Sequence, residues 1–146
     1  MTSRRINDEI EKMNLYIDTE FNGFNGQLIS MALVAQDGRE FYWAVTCTNP
    51  VPWVLEHVIP ILNTVPIDKA SFKKRLEVFL NQWEEVCIIA DWPEDIQHLC
   101  ESLITGPGRM MATPNLEFKI VRIDAPSELP HNALADARGI KKALNP

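Results

Sequence analysis

Cysteine is scarce and scattered in this chain: Cys47, Cys87 and Cys100 are odd in number and include no C-x-x-C pair. That argues against a structural zinc site and against a disulfide framework. No apolar run approaches the ~18 residues a membrane-crossing helix needs, and Thr2-Ser3-Arg4-Arg5-Ile6-Asn7-Asp8-Glu9 lacks the apolar core of a signal peptide. The expectation is an intracellular, cytoplasmic protein. Glycine is sparse, at six residues, and neither an internal period nor a low-complexity tract points to a repeat array. Basic residues are also few, 14 Lys and Arg against 20 Asp and Glu, for a net charge of −6. Nucleic-acid binding usually leaves a basic footprint, so this balance at first argues against it. What the chain does have is apolar content of 46%, with four Trp and six Phe in 146 residues. Such a length and composition suit one domain, residues 1–146, that buries a core without staples.

The most informative stretch is Tyr16-Ile17-Asp18-Thr19-Glu20-Phe21, an apolar lead-in that ends in two carboxylates one residue apart. If Asn14 to Asp18 is a strand, alternation puts Asp18 and Glu20 on one face, about 6.6 Å apart along the backbone. Like charges so close raise one carboxylate's pKa unless a divalent cation or a hydrogen-bond network keeps both ionised. D-x-E is common at strand ends, so its meaning depends on what accompanies it.

The rest of the chain supplies companions. Residues 2–13 are polar with weak helical spacing and read as a short helix or arm. Asn22-Gly23-Phe24-Asn25-Gly26 is turn chemistry, a flexible lip beside the acids, with Phe21 and Phe24 placed to stack bases of a single strand. Gln27 to Gln36 reads as a buried strand, Asp37-Gly38 as a hairpin turn and Glu40 to Thr46 as the return strand, which makes an antiparallel meander. Pro52 suits the first turn of a helix that Pro60 must stop. Asp68 to Trp83 carries Phe72, Leu76, Phe79, Leu80 and Trp83 at helical spacing.

Val86 to Ala90 is a short buried strand. Asp91 can cap the helix that follows, with Pro93 in the first turn and Glu94 completing a box-like arrangement. Asp95 then falls just beyond the strand's carboxyl end, where open α/β sheets bind ligands, and is the preferred ligand. Gly106-Pro107-Gly108 ends the helix, a loop runs to Asn115, and Phe118 to Ile123 is the last strand. Were His131 and Asp136 in one helix they would face roughly 140° apart. With Asn132 as cap, His131 belongs instead to the entering loop and Asp136 is fixed in the first turns.

Taken together, Asp18-x-Glu20, Asp95 and His131-x-x-x-x-Asp136 resemble the three exonuclease motifs of the DEDDh branch of the ribonuclease T-like superfamily. Asp18-Thr19-Glu20-Phe21, Leu28-Ile29-Ser30, Asp37-Gly38-Arg39-Glu40-Phe41-Tyr42, His57-Val58-Ile59-Pro60 and Asp95 followed by Leu99-Cys100 resemble, more specifically, the RNase AS-like 3′-5′ exoribonucleases. The chain departs just before Asp95, where the superfamily places an aromatic and this sequence has Glu94, so Asp91 stays in reserve for the second motif.

The resemblance implies an RNase H-like α/β fold, a mixed five-stranded sheet in which antiparallel strands 1–3 join two later strands through strand 1, with flanking helices. It implies a 3′-5′ exonuclease that releases nucleoside 5′-monophosphates from single-stranded RNA, and a homodimer. Asp18, Glu20, Asp95 and Asp136 are hard oxygen ligands suited to Mg²⁺ or Mn²⁺. Two such ions about 4 Å apart would clamp the scissile phosphate, with Asp18 bridging them and His131 as the base. Thr19, Phe21 and Phe24 are the expected substrate contacts. With these four acids set aside as ligands, the net charge moves much closer to neutral and the objection to nucleic acid weakens. A 3′-5′ DNA exonuclease is the alternative, since the motifs do not report the 2′-hydroxyl, and a non-catalytic nucleic-acid-binding module is another.

Overall fold

A computed structural model describes residues 12–145. The helix or arm expected over residues 2–13 lies outside the described residues, except that Lys12 and Met13 already belong to the first strand. That strand, β1 (Lys12–Phe21), forms a meander with β2 (Leu28–Ala35) and β3 (Glu40–Ala44). After a short helix α1 (Pro52–His57), a 3-10 turn (Ile59–Ile61) and helix α2 (Lys69–Leu80), strand β4 (Glu85–Ala90) returns parallel to β1. Helix α3 (Pro93–Leu103), a hairpin of β5 (Ile104–Gly106) and β6 (Arg109–Met110), strand β7 (Asn115–Ile120) and helix α4 (Ala133–Leu144) complete the order. The main sheet runs β3-β2-β1-β4-β7, antiparallel on the β3 side of β1 and parallel beyond it. This is the mixed five-stranded sheet with flanking helices expected of an RNase H-like fold.

Alternation along β1 decides what each helix covers. Leu15 and Ile17 join the core that Phe72, Leu76 and Leu80 of α2 and Leu99 of α3 fill from one face. Tyr16 points the other way and packs with Ile140 of α4, while Ala32 and Val34 of β2 receive Ala133 and Ala137 of the same helix. Small residues there let α4 lie close on the sheet. Each fully buried Leu or Ile contributes on the order of 1.5–3 kcal/mol, so both layers are strongly held. The odd-numbered side of β1 therefore faces α2 and α3, and the even-numbered side, with Asp18 and Glu20, faces α4.

Four local expectations are corrected. Asp91 does not cap α3: the N-cap is Trp92 in extended conformation with no side-chain cap bond, and Glu94 accepts a bond from Trp92 Nε1 at 2.9 Å instead of closing a box. The segment after α3 is not a plain loop, because Pro107 and Gly108 occupy the centre of a tight turn, Gly108 at φ 67°, and join β5 to β6. The last strand runs from Asn115 to Ile120 rather than from Phe118 to Ile123, since pairing with all of β4 from Glu85↔Asn115 to Ala90↔Ile120 sets its limits. β7 is largely exposed, so its apolar pattern is a poor guide to its start. Helix α2 likewise ends at Leu80, and Trp83 packs beyond it on Phe79 with ring centroids 5.4 Å apart.

Candidate active site

The site begins where β1 emerges past its parallel neighbour. Lys12 to Tyr16 pair with Glu85 to Ile89, and the same register carried onward sets Asp18 beside Asp91, just past the end of β4. Asp18 is crowded from both helical layers. Its Oδ2 is sealed from solvent without a hydrogen-bond partner. Burial first, then the charges of Asp95, Glu20, Asp136 and Asp91, hold its carboxyl well above the usual carboxylate range. Burial also pushes Glu20 up to about 8, with the charge of Asp136 and a hydrogen bond to it adding to the effect.

From the opposite face Thr19 reaches α3. Its backbone amide and hydroxyl both donate to Asp95 Oδ1, at 3.2 and 2.7 Å. Asp95 is only 2% exposed, and its Oδ2 is buried without a partner. Desolvation raises its pKa to about 7, against the pull of the Thr19 bonds and with the Asp91 charge adding. Such orphaned oxygens are costly unless something binds them.

The third element is the start of α4. Asn132 caps the helix by accepting from Ala135 N at 3.0 Å, as the sequence indicates. Asp136 sits in the first turn and His131 precedes the cap at φ 73°, a left-handed conformation that turns it out of the helical path. The His131 amide donates to Asp136 Oδ2 at 3.2 Å. The exposed His131 ring meets Trp53 of α1 edge-on at 5.0 Å, and Trp53 stacks on His57 at 4.6 Å.

Asn132 also ties this corner to the rest of the fold. It donates to Tyr42 Oη at 3.3 Å and to the Ile61 carbonyl at 2.9 Å, and Tyr42 donates to the Leu62 carbonyl at 2.5 Å. Burial, with the Glu20 charge adding, pushes the Tyr42 phenol up to about 12. Sequence reasoning missed Tyr42 and Trp53 as parts of the site. Tyr42 entered only as the end of the stretch 37–42 that carries the resemblance, and Trp53 only as part of a proline-started helix.

Ligand oxygens of Asp18, Glu20 and Asp136 lie within 4.8 Å of one another, as do those of Asp18, Asp91 and Asp95. The expected four acids are thus brought together, and the reserve Asp91 joins them. All are hard oxygen donors, and the partnerless buried oxygens of Asp18 and Asp95 fit a divalent cation such as Mg²⁺ or Mn²⁺.

Beside Glu20 opens a cleft of about 410 Å³ lined by Phe21, Phe24, Val51, Trp53, Val54 and Glu94, among others. Phe24 is 85% exposed at its rim, whereas Phe21 is half-buried and packs on His98 with ring centroids 4.8 Å apart. The lip of residues 22–26 is fastened: Asn22 accepts from Val51 N at 2.8 Å and donates to the Asn49 carbonyl at 3.1 Å. A Cβ at Gly26 would fall 1.9 Å from the Asn22 carbonyl oxygen, so the turn requires glycine there.

Fold and site together define an α/β protein with an acidic centre suited to divalent metal beside an aromatic cleft. No protein-family model matches the chain. Over 55 residues the chain is 44% identical to two curated proteins of Mycobacterium tuberculosis, strains CDC 1551 / Oshkosh and H37Rv, each named a 3′-5′ exoribonuclease. The match spans 34% of this chain and 33% of each relative's length. It supports a relationship to 3′-5′ exoribonucleases. Among the described residues, no helix is long and apolar enough to cross a membrane.

Proposed function

We propose that this chain is a single DEDDh-type exonuclease domain of the ribonuclease T-like superfamily. It removes nucleoside 5′-monophosphates stepwise from the 3′ end of single-stranded RNA. The observation that carries the reading is the pair of three-carboxylate sets that share Asp18, with Glu20 of one set lining an aromatic cleft. The partial likeness to proteins named 3′-5′ exoribonucleases supports the same direction and polymer.

Asp18, Glu20, Asp95 and Asp136 are the residues that would hold the cations, Asp18 belonging to both carboxylate sets. Bound divalent ions would polarise the scissile phosphate, activate water and stabilise the leaving 3′-oxygen. Thr19 keeps Asp95 turned so that Oδ2 stays available. His131, outside the helix and exposed, takes the proton of the attacking water, the role an imidazole fills near neutral pH. Its left-handed backbone and the Asn132 cap fix where that ring stands relative to Asp136. The terminal nucleotide lies in the cleft, its base against Phe24 and Trp53 and its sugar toward Glu20. Stacking of this kind contributes about 1–3 kcal/mol per base and is tolerant of sequence. A homodimer and a cytoplasmic location go with this reading.

The test compares metal-dependent loss of labelled single-stranded RNA with loss of equal DNA. Release of 5′-monophosphates from RNA in Mn²⁺, stopped by chelation, is expected. Faster loss of DNA would make it a DNA exonuclease, and binding without hydrolysis would make it a non-catalytic module.

A further inference from the structure

Asp91 has no structural employment that accounts for its position. It stands at the end of β4, half-buried, yet does not cap α3, and among the described residues no basic side chain pairs with it. Its ligand oxygen instead lies within 4.8 Å of those of Asp18 and Asp95. Asp95 is nearly sealed from solvent and keeps a buried, partnerless Oδ2, and Asp18 Oδ2 is equally without a partner. Thr19 occupies only Asp95 Oδ1, which leaves the other oxygen free for a different bond.

We infer that Asp18, Asp91 and Asp95 form a second divalent-cation position complete within the protein, so that the chain takes up two ions before any RNA arrives. The inference rests on the reading of this site as a metal centre, and it adds Asp91 to the four acids already assigned. Charge favours it: one divalent ion offsets two of the five carboxylates gathered here, and a second offsets two more. Three carboxylates with the remaining positions filled by water suit Mg²⁺ or Mn²⁺, which keep part of their hydration.

The experiment counts Mn²⁺ on the RNA-free protein by calorimetry and native mass spectrometry, for the wild type, Asp91→Asn and Asp91→Cys. The wild type is expected to bind two ions. Asp91→Asn, with metal-free unfolding temperature unchanged, is expected to keep one and weaken the other by at least roughly tenfold, since even groups that only support a ligand cost about 10- to 100-fold. Asp91→Cys titrated with Cd²⁺ should show a thiolate-to-metal ultraviolet band that Asp91→Asn lacks, which controls for the three native cysteines. One ion on the wild type, two on Asp91→Asn at unchanged affinity, or no new band in Asp91→Cys would each overturn the inference. RNA hydrolysis measured on the same wild-type sample separates the two readings. Two ions without hydrolysis would remove the nuclease reading and keep Asp91 as a ligand, whereas hydrolysis with an unaltered Asp91→Asn count would do the reverse.

Discussion

Thr19 donates both its backbone amide and its hydroxyl to one oxygen of Asp95, 76 positions away, and leaves the other oxygen bare. Thr19→Val keeps the shape and the amide bond but removes the hydroxyl. A bond to a charged group contributes about 1.5–3 kcal/mol, so Mn²⁺ affinity and RNA hydrolysis should each fall by roughly tenfold or more. Thr19→Ser should restore both, and the Asp95 pKa, read by carboxyl-carbon NMR, should climb above about 7 in the Val variant. Unchanged values in Thr19→Val would remove this residue from the site.

Stability and pH follow from the same carboxylates. Glu20 and Asp95 titrate near 8 and 7 in the fold, above their ordinary values of 4.5 and 3.8. The folded state therefore holds more protons than the unfolded one, and stability falls as pH rises. The loss should begin near the unfolded pKa values, continue to about pH 8 and then level off. Mn²⁺ competes with those protons, so its apparent affinity should rise over the same window and the decline in unfolding temperature should flatten when it is present. Thermal unfolding from pH 5 to 9 with and without Mn²⁺ checks both slopes.

Asp18→Asn should stabilise the metal-free protein while disabling it, because the neutral amide relieves repulsion among buried acids. Loss of a shared ligand should lower hydrolysis by on the order of 10²–10³ or more. Calorimetry with Mn²⁺ beside turnover is the measurement. Intact binding with intact turnover would exclude Asp18 from the centre.

His131 differs from the acids in being exposed and placed as base rather than ligand. His131→Ala should lose roughly 10²- to 10⁴-fold in rate with metal affinity kept. A matching loss of metal binding would make it a ligand. Asn132→Ala acts on the same corner through the cap, and should lower stability by about 0.5–2 kcal/mol as well as rate.

Much of the site was legible because its signals are local. Alternation along β1 placed Asp18 and Glu20 on one face, and the Asn132 cap separated His131 from Asp136. The meander was equally plain, since Asp37-Gly38 fixes its second turn between apolar runs. What could not be read depends on contacts distant in sequence. The nearness of Asp91 and Asp18 follows from the parallel register of β1 and β4, and the Tyr42 to Asn132 bond spans 90 positions. Asp91 looked like a cap because the local pattern permits one, but Trp92 takes that place and frees the acid for the cluster. The early start of β7 escaped notice because an exposed edge strand carries little apolar alternation.

Direction and end requirement can be read from one gel. The wild-type protein with Mn²⁺ is given a 5′-labelled single-stranded RNA, a copy blocked by a 3′-phosphate and a circular copy. The expected result is a ladder that shortens from the 3′ end of the first RNA alone, since a 3′-phosphate would crowd the Glu20 end of the cleft and a circle offers no end. Cutting of the circle would show an endonuclease and contradict the proposed function.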